Sequence, residues 1–366
     1  MYKRQENIIW PETNGIKLIS AGDSSNTIID GGGISSVISI NPQTVTIDTT
    51  TQIEGFKLVN GIALYGGGIR IFNSSVKLQN VHVNMNTTLN EGYGGGVYLS
   101  NSNSVFYSCK VSHNTAISDA SGATGNGGGI SMYNSNPILN NTNIIGNEAN
   151  YWGGGILIDN SNPTLSNLSI SNNSVEQGGG GLYIREGSTP TIDNCFIASN
   201  SSSIGGGIYI HESSPIINNI HVYNNYASDR GGGMDFVRST AGTYNDIVIE
   251  SNTASWKGGG IAMTSSEATF TNIEIRNNNS GGGGGGGIFC TGNHGIITDG
   301  IISNNSSSSD GGGLWGSFTL TNVTVIDNNS NENGGGIYLG TGNLNISNSN
   351  IMNNNAISGD GIYAYN

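Results

Sequence analysis

A triplet of glycines followed by an apolar residue returns along the whole chain, and its spacing leaves few folds open. The last glycine before the apolar residue is Gly33, Gly68, Gly96, Gly129, Gly155, Gly181, Gly207, Gly233, Gly260, Gly287, Gly313, Gly336 and Gly361. From Gly129 to Gly313 the steps are 26, 26, 26, 26, 27, 27 and 26 residues. The clearest copy is residues 205 to 230, GGGIYIHESSPIINNIHVYNNYASDR. In it Ile208 and Ile210 alternate with Tyr209 and His211, the pattern of a half-buried strand. A turn at Ser213-Ser214-Pro215 leads to a second short strand with Ile217, and a third carries Ile220 and Val222. Three such strands cannot bury a face alone, so each unit must stack on its neighbours.

Asparagine keeps step with the glycines. A corner position preceded three residues earlier by Ile or Val is filled by Asn86, Asn114, Asn147, Asn173, Asn200, Asn225, Asn252, Asn278, Asn305, Asn329 and Asn354. A side-chain amide has two donors and one acceptor oxygen, so stacked copies can bond to one another and to corner backbone that no strand ladder reaches. This column is expected to be a buried structural ladder. A second column runs through Asn80, Asn141, Asn167, Asn194, Asn219, Asn272 and Asn348.

A leucine-rich horseshoe needs repeating Leu and helix formers, and both are scarce here. A calcium-binding nonapeptide solenoid needs Asp at a fixed offset in its glycine run, and none recurs. The fold class that remains is all-β: a right-handed, single-stranded parallel β-helix of about 26 residues per coil. Abundant Gly, Asn and Ser with only 10% charged residues also fits disorder. A disordered tract, however, has no reason to hold Ile and Val in register over many coils. A length of 366 residues would suit two or three ordinary domains, but one repeat absorbs nearly all of it.

The chain reads as irregular coils over 6–60 and regular coils over 61–366. Residues 1–5, Met-Tyr-Lys-Arg-Gln, read as an adaptor-derived artefact, and the chain reads as cut from a longer one at its C-terminus as well. The longest loop, Thr115 to Asn126, is the usual kind of place for binding residues on a solenoid. A formal charge of −13 disfavours nucleic acid and anionic lipid as partners. No stretch reaches the roughly 18 apolar residues of a transmembrane segment. Cys109, Cys195 and Cys290 read as small buried hydrophobes.

The pairing of GGGI at Gly205–Ile208 with V-Y-N-N at Val222–Asn225 resembles the GGA-aliphatic and Phe-x-x-Asn motifs of polymorphic outer-membrane protein repeats. It also resembles the wider pectin-lyase-like β-helix group. Gly stands here for Ala, and Ile or Val for Phe. The resemblance covers 61–366 and implies a β-helix that is secreted or carried on the cell surface, used in adhesion.

Two outward features are candidates for function. The residue two after the last glycine is Tyr98, Tyr183, Tyr209, Phe289, Trp315, Tyr338 or Tyr363 in seven coils. Exposed rings at strand spacing suit stacking on sugar rings, and Tyr183, Tyr209, Phe289, Trp315 and Tyr338 are the candidate glycan contacts. A purely structural ring ladder explains the same stripe. The second feature is a charge cluster of Asp159, Arg185, Glu186, His211, Glu212, Asp235 and Arg238 at one strand end. Glu186, Glu212 and Asp235 offer carboxylates for a hydrolase pair. His211, Arg185 or Arg238 offer a base for lyase chemistry. A solvated edge explains the cluster equally.

These features lead to a bacterial, monomeric β-helix stalk, extracellular or anchored at the outer membrane, that binds polysaccharide or cell-surface glycan. No metal or other cofactor is expected. A polysaccharide lyase or glycoside hydrolase, and a purely structural spacer, are the alternatives.

Overall fold

The structure, a computed structural model, describes residues 2–118, 124–239 and 242–365. It is all-β, a right-handed parallel β-helix with the expected coil spacing of about 26 residues. The chain divides into two compact units, Met1–Tyr183 with Gly187–Thr191, and Ile184–Glu186 with Ile192–Asn366.

In the first unit each regular coil opens with a four-residue strand directly after the glycine triplet, such as Ile69–Phe72, Val97–Ser100 and Ile130–Tyr133. These pair in parallel without slippage, Ile69 to Val97 and Val97 to Ile130. Two three-residue strands follow, as at Val105–Tyr107 and Lys110–Ser112. A fourth short strand, such as Thr115–Ala116 or Glu148–Ala149, comes after the asparagine corner and pairs with its own counterparts. The three-strand unit read from the sequence omits this fourth strand, because two polar or small residues carry no alternation to read. The irregular coils stack on the regular ones through Gln52–Glu54 and Lys57–Val59. Tyr2–Gln5 pairs with Thr27–Asp30. Part of the Thr115–Asn126 loop lies outside the described residues.

The second unit repeats the plan with one change. In five successive coils the second and third strands fuse into single bent strands, Ile216–Tyr223, Gly242–Glu250, Ala268–Arg276, Gly295–Ser303 and Phe318–Ile326, while Phe196–Ala198 before them and Leu344–Ser347 and Asn350–Met352 after them stay separate. The bend falls at Asn219, Asp246, Asn272, Asp299 and Asn322, each at a φ of 49–56°. Asn and Asp tolerate this left-handed region best among residues with a side chain. The second asparagine column therefore exists to turn the chain, and Asp substitutes for Asn in it for the same reason.

Inward columns close a core of Ile, Val, Leu, Met and Phe, with Ile208, Ile210, Ile217, Val222, Ile249 and Ile275 fully buried. All three cysteines are buried and outside any disulfide, and burial pushes the Cys109 thiol up to about 12 and Cys290 to about 11. Thiols held this far from thiolate are inert packing atoms.

Two devices set the coil's corners. At Gly205 φ is +60°, and a Cβ on Gly206 or Gly207 would sit 2.5–2.6 Å from the carbonyl oxygens of Gly232 and Gly233 in the next coil. Only glycine permits that approach. At the other corner, the Asn225 backbone N–H and its Nδ2 both donate to Oδ1 of Asn252, each at 3.0 Å, while Nδ2 also donates to the Ile197 carbonyl at 2.9 Å. The same pattern joins Asn86, Asn114, Asn147 and Asn173 in the first unit. In the second it joins Asn200, Asn225, Asn252, Asn278, Asn305, Asn328 and Asn354.

One member differs from the sequence reading. The ladder passes through Asn328, which is 1% exposed, and Asn329 begins the short fourth strand Asn329–Ser330. Both are preceded at three residues by an aliphatic, Val325 and Ile326, but only Val325 faces inward. Asn328→Ala is therefore expected to lower unfolding free energy by about 1–3 kcal/mol, since it strips partners from the buried Asn305 amide. Asn329→Ala should stay within about 0.5 kcal/mol. Urea midpoints of the two variants measure the contrast, and equal midpoints would reject the assignment.

Candidate functional site

The outward residue of the first strand was expected to be exposed, and the structure corrects this. Tyr183 is 4% exposed, Tyr209 6% and Phe289 3%. In several coils the cause is the residue just before a glycine triplet, which folds over an outward side chain of its own or the next coil. In the first unit Trp152 lies 4.9 Å from the Tyr183 ring, and Tyr65 and Tyr93 pack on Tyr98 at 4.8 and 6.4 Å. In the second unit Phe289, Trp315, Tyr338 and Tyr363 stack in series at 4.4, 5.8 and 5.5 Å, with interplanar angles of 20°, 19° and 7°. Lys257 Nζ lies 4.6 Å from the Phe289 ring centre and 3.8 Å from that of Trp256. Stacked this way, the rings spend their faces on one another. Half-buried Trp315 and Tyr338 show edges and not the flat faces that a sugar would cover.

The same roof reshapes the charge cluster. Asp235 follows Tyr209 in register and is fully buried. Arg230, just before the glycine turn, reaches across it and donates from Nε to Asp235 Oδ2 at 2.9 Å. Oδ1 of Asp235 has no hydrogen-bond partner among the described residues. Asp235 is thus not an accessible member of a carboxylate pair. Burial pushes its carboxyl up to about 7 against the opposing pull of Arg230.

Around it, Arg238 Nη2 donates to His211 Nε2 at 2.8 Å, and Arg238 Nε donates to Glu212 Oε1 at 3.1 Å. Burial, above all, holds the His211 imidazole below its ordinary value; Glu212 and Glu186 oppose this, and Arg238 and Arg185 reinforce it. His211 accepting from Arg238 is a neutral imidazole. Glu186, Glu212 and Arg238 all sit at positive φ, at turns that hold Asn134 and Asn160 in the first unit. Asp159, in the first unit, is buried at 8% exposure. Among the described residues no three His, Cys, Asp or Glu side chains group closely enough to hold a metal ion.

A second cluster, not singled out from the sequence, lies on the outer face of the bent sheet in the second unit. His221 Nε2 lies 3.2 Å from Glu250 Oε2, Arg276 Nη2 donates to the same oxygen at 2.8 Å, and Arg276 Nη1 pairs with Glu274. The Tyr223 ring is 4.6 Å from His221, and Phe196, 52% exposed, is 6.4 Å from it. Arg276 first, and His221 after it, hold the Glu250 carboxyl below its usual range. The signal was present as period: Tyr223, Glu250 and Arg276 are outward and in register on successive coils.

Beside this cluster runs an open groove of about 540 Å³. Asp246, Asn272, Asp299 and Asn322 of the bend column form one wall, and Val248, Glu274, Ile301 and Thr324 the other. Asn272 Nδ2 donates to Asp246 Oδ1, and Asn322 Nδ2 donates to Asp299 Oδ1 at 3.0 Å.

The buried pair gives a stability test. Arg230→Met removes the one donor to Asp235 among the described residues and, above about pH 7 where that carboxyl is ionised, strands its charge; there it should cost about 3–5 kcal/mol, with most of it recovered in the Arg230→Met, Asp235→Leu double variant. The parent should also lose stability as pH rises from about 4 to about 7. Over that window the unfolded chain has released the Asp235 proton while the fold retains it. Asp235→Asn should remove this component of the slope in pH-dependent urea unfolding; an unchanged slope would refute it.

No curated protein matches the chain. Among solved structures, the A-module of mannuronan C-5 epimerase AlgE6 from Azotobacter vinelandii is similar over 99% of this chain and 91% of its own, at 13% identity and a TM-score of 0.31. PfbA, a surface adhesin of Streptococcus pneumoniae, is similar over 94% of this chain and 84% of its own, at 11% identity and a TM-score of 0.22. A family model described as the right-handed β-helix region matches residues 5–244 and 237–366, and the chain belongs to that family.

Proposed function

We propose that the chain is part of a secreted or cell-surface bacterial β-helix stalk that binds an extended polysaccharide along its coils. The observation that carries this reading is the open groove of the second unit, which crosses the bent strands of four coils and sets carboxylate and amide groups beside exposed Ile301. Glycans are bound by this combination: polar side chains for hydroxyls and apolar surface for the sugar's C–H face. A polymer laid along the stack meets the same groups again at every coil or every second coil. The resemblance of the repeats to those of polymorphic outer-membrane proteins is what points to a place outside the cell in this reading. Among the described residues no helix is long and apolar enough to cross a membrane.

Phe196 extends this face as the exposed ring nearest His221. The aromatic stripe on the first strands acts as a structural ladder in this reading. An enzymatic alternative rests on one specific observation, the neutral His211 held between Glu212 and Arg238.

Retention on a polysaccharide array separates these readings. The parent should be retained, Phe196→Ala should weaken retention about three- to tenfold, on the order of 1 kcal/mol, and assays for new reducing ends or unsaturated products should stay at background. Product that appears with the parent and vanishes in His211→Ala would establish the enzyme instead. Absence of any binding and any product would leave a spacer.

A further inference from the structure

We propose that the groove of the second unit recognises a cationic amino-sugar polymer, a β-1,4-linked glucosamine chain, in preference to neutral or uronic-acid glycans. This rests on the glycan-binding reading above and adds the charge class of the ligand. The ionisable groups lining the groove are Asp246, Glu274 and Asp299, and none of its lining residues is a cation. Arg276, two residues beyond Glu274 in the same strand, is engaged twice over, with Glu250 and with Glu274. A uronate would therefore bring its carboxylate against Asp246 and Asp299, with Glu274 already paired to Arg276 and no cation among the lining residues to receive it.

The arrangement of these carboxylates is regular. Asp246 and Asp299 each spend Oδ1 on the amide of the next coil's asparagine, which fixes the carboxylate, and Oδ2 takes no hydrogen bond among the described residues. The two stand two coils apart, at about 10 Å from the spacing of parallel strands. In a β-1,4 chain alternate sugars are turned over, so amines that face one side recur once per disaccharide, a distance of the same order. Each such amine would reach one aspartate, while the intervening sugar lies over the coil between them, beside Asn272 and Glu274.

Binding measured by calorimetry at low and high salt, with oligomers of glucosamine, N-acetylglucosamine and galacturonate, tests the idea. The glucosamine oligomer should bind best and weaken with salt as exposed charge pairs are screened. Asp246→Asn and Asp299→Asn should each weaken it about two- to fivefold and multiply when combined, whereas Glu148→Gln, exposed in the first unit, should leave it unchanged. Equal binding of the acetylated oligomer would overturn the charge class and leave the glycan reading standing. Binding indifferent to both Asp variants would remove the groove as the site. If no oligomer binds and the polysaccharide array is also blank, the underlying reading falls with the proposal.

Discussion

The coil depends on one hydrogen-bonded corner. Where the third strand turns into the fourth, the backbone has no ladder partner inside its own coil, and the side chain of the next coil's asparagine supplies one. Oδ1 of Asn252 accepts both the N–H and the Nδ2 of Asn225, while Asn225 Nδ2 also reaches the Ile197 carbonyl. No other side chain offers a donor pair and an acceptor on so short a stem. The corner thereby closes with its amide groups paired to one another, and the inward aliphatics next to it can be buried fully. Glycine serves the opposite corner through a different constraint: the backbones of successive triplets lie too close for a Cβ.

Placing glycine there has a consequence for the outside of the first strand. A triplet with no side chains leaves nothing between the residue before it and the strand after it, so that residue can fold across. Trp152, Arg230 and Lys257 use this freedom, each over an outward side chain of its own or the next coil. The face that looks solvated in a strand pattern becomes a second, outer layer of packing. Asp235 survives in that layer only because Arg230 reaches it; a carboxylate buried without a partner would cost several kcal/mol.

Coil length, inward columns and the asparagine ladder were legible because each repeats a residue type at a fixed interval. Asn328 was misplaced where that regularity lapses: the step from Gly313 to Gly336 is 23 residues, and an Asn-Asn doublet offers two candidates. Alternation resolves the doublet, since Val325 is inward and Ile326 outward. The roof was not legible, because alternation reports which side of a strand a residue faces and not what covers that side. Nor was the face of Phe196 and His221 beside Tyr223, Glu250 and Arg276, two columns that each keep register but not residue type. Repeats are found by similarity, and a site built on a repeat is made of its departures from similarity.

The two outer surfaces of the second unit differ in what a long ligand could use. On the first-strand face the rings are consumed by mutual stacking, and the ionic groups at its edge, His211, Glu212 and Arg238, are consumed by one another. On the bent-strand face the left-handed corners hold Asn and Asp outward, because the conformation that turns the chain also points a short polar side chain away from the core. Folding requires a residue of that type at each bend, but it does not distinguish Asp from Asn. The choice between them is therefore free to encode charge, and its alternation at Asp246, Asn272, Asp299 and Asn322 writes a period of two coils onto a scaffold whose own period is one.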